Sequence, residues 1–157
     1  MNNAKIFFLI QIIFLILNAD YAHAGVSSLK LQPKSVNMGI VTADDYQTGY
    51  QEKIQANLLT IRDNSNDWKV LVRTNDSSMG IVGSYAKPVS DLEWRAQGTY
   101  ATQTAYIGIA NYDIEVARGS KNNNDRSIFI DYRVLLSWAK DVPGNYHITL
   151  LYTLTTQ

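Results

Sequence analysis

The chain contains no cysteine. That absence excludes disulfide staples, thiol nucleophiles and cysteine-ligated zinc together, so stability must come from packing and sheet hydrogen bonds. An excess of charge of either sign is also missing, because fourteen Lys and Arg balance fourteen Asp and Glu. No long-range field draws such a protein to nucleic acid or to an anionic membrane surface. Histidine is scarce, and beyond the first two dozen residues His147 stands alone. No Gly-x-Ser-x-Gly elbow accompanies it, so a Ser-His-carboxylate triad has no anchor. No segment sustains a helical apolar period over three turns, so helices are not expected to build the core.

What is present begins with an export address. Lys5 precedes the apolar run Ile6–Leu17, which is interrupted only by Gln11. A run of that length fits a signal-peptide core (~7–15 residues) and falls short of a spanning helix (~20 residues). Ala22-His23-Ala24 is the small-x-small pattern that signal peptidase reads. We therefore expect residues 1–24 to be a signal peptide, cleavage before Gly25, and one mature domain over residues 25–157. Losing Lys5 and Asp20 leaves the formal charge balanced. The mature protein is expected outside the cytoplasm, whether extracellular, on the cell surface or periplasmic, with no membrane span.

The mature composition favours strands, with Val, Ile, Thr and Tyr plentiful between short turns. The clearest strand is the last. After the Pro143-Gly144 turn, Tyr146, Ile148, Leu150, Tyr152 and Leu154 fall on every second residue, with His147, Thr149, Thr153 and Thr155 between them. Alternation of this kind gives one buried face and one wetter face. Ile128, Ile130, Tyr132, Val134 and Leu136 line a second long strand, expected to pair antiparallel with the last one because the connection is short. Tyr50–Ile61 reads as a long strand with Ile54, Ala56 and Leu58 on one side. Its alternation shifts over Leu58–Ile61, the mark of a β-bulge. The turn Asp63–Asp67 then leads into a return strand with Trp68, Val70 and Val72 inward, and these two strands are expected to form a hairpin. Val36–Val41 and Val89–Arg95 read as further strands, Thr99–Ile109 and Tyr112–Val116 as weaker ones. Ala43-Asp44-Asp45 and Gly119–Asp125 read as a loop and a turn. The expected fold is an all-β, two-sheet, immunoglobulin-like sandwich of about seven or eight mainly antiparallel strands, with a closed barrel as the alternative. Trp68, Trp94, Tyr132, Tyr146 and Tyr152 supply its large inward residues.

Candidate chemistry is thin. His147 falls on the outward row of the last strand. Glu93, Asp113, Glu115 and Asp131 are the acidic residues that a glycosidase-like pair would need, but acids in strands usually face solvent. Asp63-Asn64-Ser65-Asn66-Asp67 offers oxygen ligands at alternate positions, yet Trp68 and Thr74 stand where a calcium loop requires Gly and Glu. The turn chemistry of Asp and Asn accounts for the segment. We therefore expect no catalytic residue, no metal and no cofactor. Tyr46, Tyr50, Tyr85, Tyr100, Tyr106 and Tyr112 lie in or beside loops, where aromatic faces can stack on sugar rings or simply pack. The open edges of a sandwich offer a second mode of interaction, by strand addition. The first mature segment, Val26–Leu31, is expected to pair within its own sheet rather than with a neighbour.

Two family resemblances follow. Ile61-Arg62-Asp63 with Trp68-Lys69-Val70, and later Gly144-Asn145-Tyr146 with Tyr152-Thr153-Leu154, resemble the paired motifs of WxL-type bacterial surface domains. Val70 stands for the motif's Leu and Tyr152 for its Trp. The resemblance implies an exported, non-catalytic β-sandwich acting in surface recognition or assembly. Its motif positions would be Trp68, Val70, Gly144, Tyr146, Tyr152 and Leu154, and cell-wall glycan or another surface protein its partner. The last strand is also similar to that of chaperone–usher fimbrial subunits, which carry a Gly at the position of Gly144 followed by alternating apolar residues. The family's penultimate Tyr is replaced here by Thr156, and its cysteine pair is absent. That resemblance implies the alternative function, a structural subunit joined to like or unlike subunits by strand exchange.

Overall fold

A computed structural model of the chain describes residues 9–18 and 27–156. The strands, in chain order, begin with β1 (Leu9–Asn18), β2 (Ser27–Gln32) and β3 (Ser35–Ile40). A short helix α1 (Ala43–Thr48) precedes β4 (Tyr50–Asp63) and β5 (Trp68–Thr74). β6 (Ile81–Val82), β7 (Tyr85–Ala86), a 3-10 turn at Val89–Asp91, β8 (Leu92–Gln97) and β9 (Ile107–Gly108) follow. β10 (Ile114–Gly119), β11 (Asn122–Leu135) and β12 (Asn145–Thr156) complete the order. Two five-stranded sheets carry the fold, one ordered β10-β5-β12-β1-β3 and the other β2-β4-β11-β8-β9, with β6-β7 as a small ribbon. This is the expected all-β sandwich. Every ladder among these strands is antiparallel except that between β1 and β12.

The core follows the alternation in the sequence. Trp68, Val70 and Val72 from β5, Trp94 from β8, Ile128, Ile130, Tyr132 and Val134 from β11, and Tyr146, Ile148, Leu150 and Tyr152 from β12 are all buried. The Tyr132 and Tyr152 hydroxyls, one from each sheet, meet at 2.7 Å inside this core. Each thereby keeps a partner where water cannot reach, which is the condition for burying a phenol at all.

Pairing departs from expectation in two places. β4 and β5 are not a hairpin: β4 pairs with β2 and β11, while β5 pairs with β10 and β12 in the other sheet. Nor do β11 and β12 pair; β11 lies between β4 and β8. A strand has two hydrogen-bonding edges, and in both cases strands distant in sequence occupy them. The connections therefore cross from one sheet to the other.

Asp63 organises the first crossing. Its carboxylate accepts hydrogen bonds from the Ser65 and Asn66 N–H groups at 3.0 and 2.9 Å and from the Ser27 hydroxyl at 2.8 Å. Burial alone would raise its pKa, but these donors and the Ser65 hydroxyl outweigh burial and hold it below the usual carboxylate value.

Three local expectations are corrected. Ala43-Asp44-Asp45 is not loop but the start of α1, closed by a capping box between Thr42 and Asp45 and ended by Gly49 in the left-handed conformation. The β4 irregularity lies upstream of Leu58, where Ile54, Gln55 and Ala56 oppose Asp131 alone and Gln55 has a φ of 50°. The buried Asp131 carboxylate accepts from the Gln55 N–H at 2.7 Å and so pins the bulge, which leaves Ile54 about half exposed and Ala56 buried, so the two do not share one side as expected. The Asn-rich stretch is mostly strand, since β11 already begins at Asn122.

Candidate functional site

The six motif positions are spread along β5, β12 and the turn before β12, five of them buried and Gly144 half-buried. β5 and β12 are neighbours in register, with Val70 opposite Leu154 and Trp68 opposite Thr156. Trp68, Val70, Tyr146, Tyr152 and Leu154 are buried. Gly144 closes the turn before β12 against Val82, and a Cβ there would collide with the Val82 side chain. These residues build the core and its corner.

Each acidic candidate is paired with an arginine. Glu93 binds Arg133, Glu115 holds Arg118 in a two-point pair at 2.6 and 2.8 Å, and Asp131 takes Arg95 at 2.7 Å. Asp113 lies 3.8 Å from Arg73. Among the described residues no three His, Asp or Glu side chains gather as a metal site would require. His147 is exposed, and its backbone N–H donates to Met79 O at 2.7 Å.

The loop tyrosines are largely engaged by their own protein. Arg133 lies over both Tyr50 and Tyr106, at 5.2 and 4.3 Å from the ring centres, and Arg126 lies over Tyr100 at 5.0 Å. Tyr46 stacks on Trp138 with centroids 4.2 Å apart, and Tyr85 donates to Asp141 at 2.8 Å. Tyr112, at 66 % exposure, is the outward one.

Sequence reasoning missed Lys87. Its side chain is fully buried and donates to Asp141 at 2.8 Å, Asp91 at 3.1 Å and the Leu135 carbonyl at 2.9 Å. Asp141 also accepts from the Ser137 N–H at 2.9 Å. An open pocket of about 200 Å³ lies beside this corner, lined by Tyr85, Asp91, Ser137, Lys140 and Asp141. Asp91 is only 4 positions away, but nothing in the local sequence marks Lys87 as buried, because its other two partners lie 48 and 54 positions away. With its three donors taken, the ammonium acts as a tie between the β7–β8 region and the β11–β12 crossing.

β1 lies between β12 and β3. It runs parallel to β12 from Leu9 opposite Asn145 to Asn18 opposite Leu154. It runs antiparallel to β3 from Leu9 opposite Ile40 to Ile13 opposite Ser35, with a shift where Met38 bulges beside Gly39, whose φ is 95°. Among the described residues β3 has no other ladder partner.

Residues 9–18 fall almost wholly within the apolar run that the sequence marks as the export signal; the rest of the leader and the cleavage site lie outside the described residues. With β1 removed, β12 and β3 would stand two strand spacings apart, about 10 Å, too far for backbone hydrogen bonds.

The outer wall of this position is held independently of β1. From the opposite sheet, Lys53 Nζ donates to Asn37 O at 2.6 Å, Gln51 Nε2 to Ile40 O at 3.3 Å and Asn57 Nδ2 to Pro33 O at 2.7 Å. The strand position is therefore bounded on one side by a core strand and on the other by a strand braced from β4. No protein-family model matches the chain, and no curated protein matches it in sequence.

Proposed function

We propose that this chain is an exported, non-catalytic surface module that works in assembly, its sandwich completed by an added β-strand lodged between β12 and β3. This is the strand-exchange reading of the sequence. The observation that supports it is the seating of residues 9–18, the expected leader, as an interior strand of the sheet. Cleavage before Gly25 would cut that strand from the mature domain. The β12 edge would then present a row of unpaired backbone groups, which an incoming strand can satisfy. Recognition through the two surface-domain motifs draws less support, because Trp68 and Tyr152 are enclosed by the core.

The chain's lack of cysteine supplies the test. A Ser35→Cys variant places a single thiol on the exposed β3 wall. In protein recovered from the envelope of exporting cells, intact mass is expected to show a start at Gly25. A benzophenone attached to that thiol, which inserts into C–H bonds on illumination, is expected to join position 35 to a strand from another polypeptide. A mature, stable monomer with no strand joined at position 35 would overturn the proposal.

A further inference from the structure

Resting on that reading, we infer that the mature chain accepts a strand from a different protein and donates none from its own amino terminus, so that it terminates an assembly rather than propagating it. A propagating subunit needs a free segment to fill its neighbour's gap. Here the first mature strand is consumed at home. β2 pairs with β4 along its whole length, from Ser27 opposite Asp63 to Gln32 opposite Leu58. Leu29 and Leu31 are buried, and the Ser27 hydroxyl is tied to the Asp63 carboxylate at 2.8 Å. Cleavage before Gly25 would leave Gly25 and Val26 ahead of β2, a reach of about 7 Å. The vacated position follows ten residues of β12, about 33 Å of strand. Releasing β2 instead would strip β4 of one ladder and expose two leucines.

The other strands bordering the gap are no freer. β12 is already paired with β5 on its far side, and β3 is the wall of the gap itself. A second copy of the mature chain therefore offers no suitable amino-terminal strand, and the occupant is a strand of another protein. Its chemistry is indicated by the segment seated there, Leu-Ile-Gln-Ile-Ile-Phe-Leu-Ile-Leu-Asn. That stretch is extended, apolar and uncharged, without Pro or Gly. The pairing asks for about ten residues along β12, with roughly half also reached by β3.

The test starts from the full chain, which carries β1. A site-specific protease sequence replaces residues 22–24 and is cut after folding, so the strand stays in place without a covalent link. The probe is a fluorescent peptide of residues 9–18 with solubilising lysines at its ends. A companion variant, K30C/T60C, cross-links a directly opposed β2–β4 pair and locks β2 at home.

The expected result is one-to-one exchange of the probe into single copies of the cut protein. Its extent should differ by no more than about twofold between locked and unlocked forms, a difference of under half a kcal/mol. If the cut protein instead forms chains of itself that the lock abolishes, β2 is donated. The inference then fails while the strand-completion reading stands. If the cut strand leaves, the protein stays a folded monomer and no probe enters, the strand-completion reading itself fails and the inference with it.

Discussion

At the scale of single residues, the protein relies on a few buried polar groups whose partners are distant in sequence. Lys87 is the clearest case. Lys87→Met would leave Asp141 buried without its cation, and the full-length chain is expected to lose about 3–5 kcal/mol in urea unfolding. The double variant K87M/D141L removes both charges and is expected to recover most of that loss, because an apolar pair needs no charge compensation. A double variant as unstable as the single one would show that the Ser137 and Tyr85 hydrogen bonds to Asp141 matter more than the ion pair.

Asp63 gives a prediction with a pH sign. Its carboxyl titrates below the ordinary value when folded, so its contribution is complete above the ordinary range and is lost as pH falls through and below it. The stability difference between wild type and Asp63→Asn is expected to be constant near neutrality and to shrink from about pH 4 downward. A difference independent of pH would show that the ionised form makes no special contribution. Neither residue's environment was legible in the sequence. The Asp63 turn was, because Asp and Asn favour such turns locally; the buried Lys87 was not, because its environment is made by the whole fold.

At the scale of elements, the alternation of apolar residues placed β5, β11 and β12 and named their inward faces. It did not name their neighbours. The β4–β5 hairpin and the β11–β12 pair were reasonable from short connections, but both failed because other strands already held those edges. The capping box of α1 spans only Thr42 to Asp45 and offers no apolar period to detect. The β4 bulge was visible as a broken pattern but was placed several residues late. Its position is fixed by Asp131, which lies 76 residues from Gln55.

Element corners also carry a prediction. Gly144→Ala would drive a methyl into the branched Val82 side chain, at an expected cost of about 1–3 kcal/mol. G144A/V82A is expected to restore thermal stability by making room. Equal melting temperatures for wild type and Gly144→Ala would show that this corner yields without strain.

At the scale of the molecule, the segment that reads as an export leader is an interior strand of one sheet. Ile12→Pro in the uncut full-length chain removes a backbone donor from that interior strand. Faster hydrogen exchange at β12 amides is expected, with the β4–β11 ladder changed much less. Uniform protection in both sheets would mean that the fold does not need the strand.

The sequence by itself determined the strand-rich class, the inward faces, the leader-like run and the balanced charge. Each of these is written in local spacing and composition, which short windows report completely. The tertiary structure decided which strands are neighbours, which polar groups are buried, and that the apolar leader run lies inside a sheet. Those outcomes depend on which backbone edges remain unpaired once the whole chain has packed, and no local window contains that information.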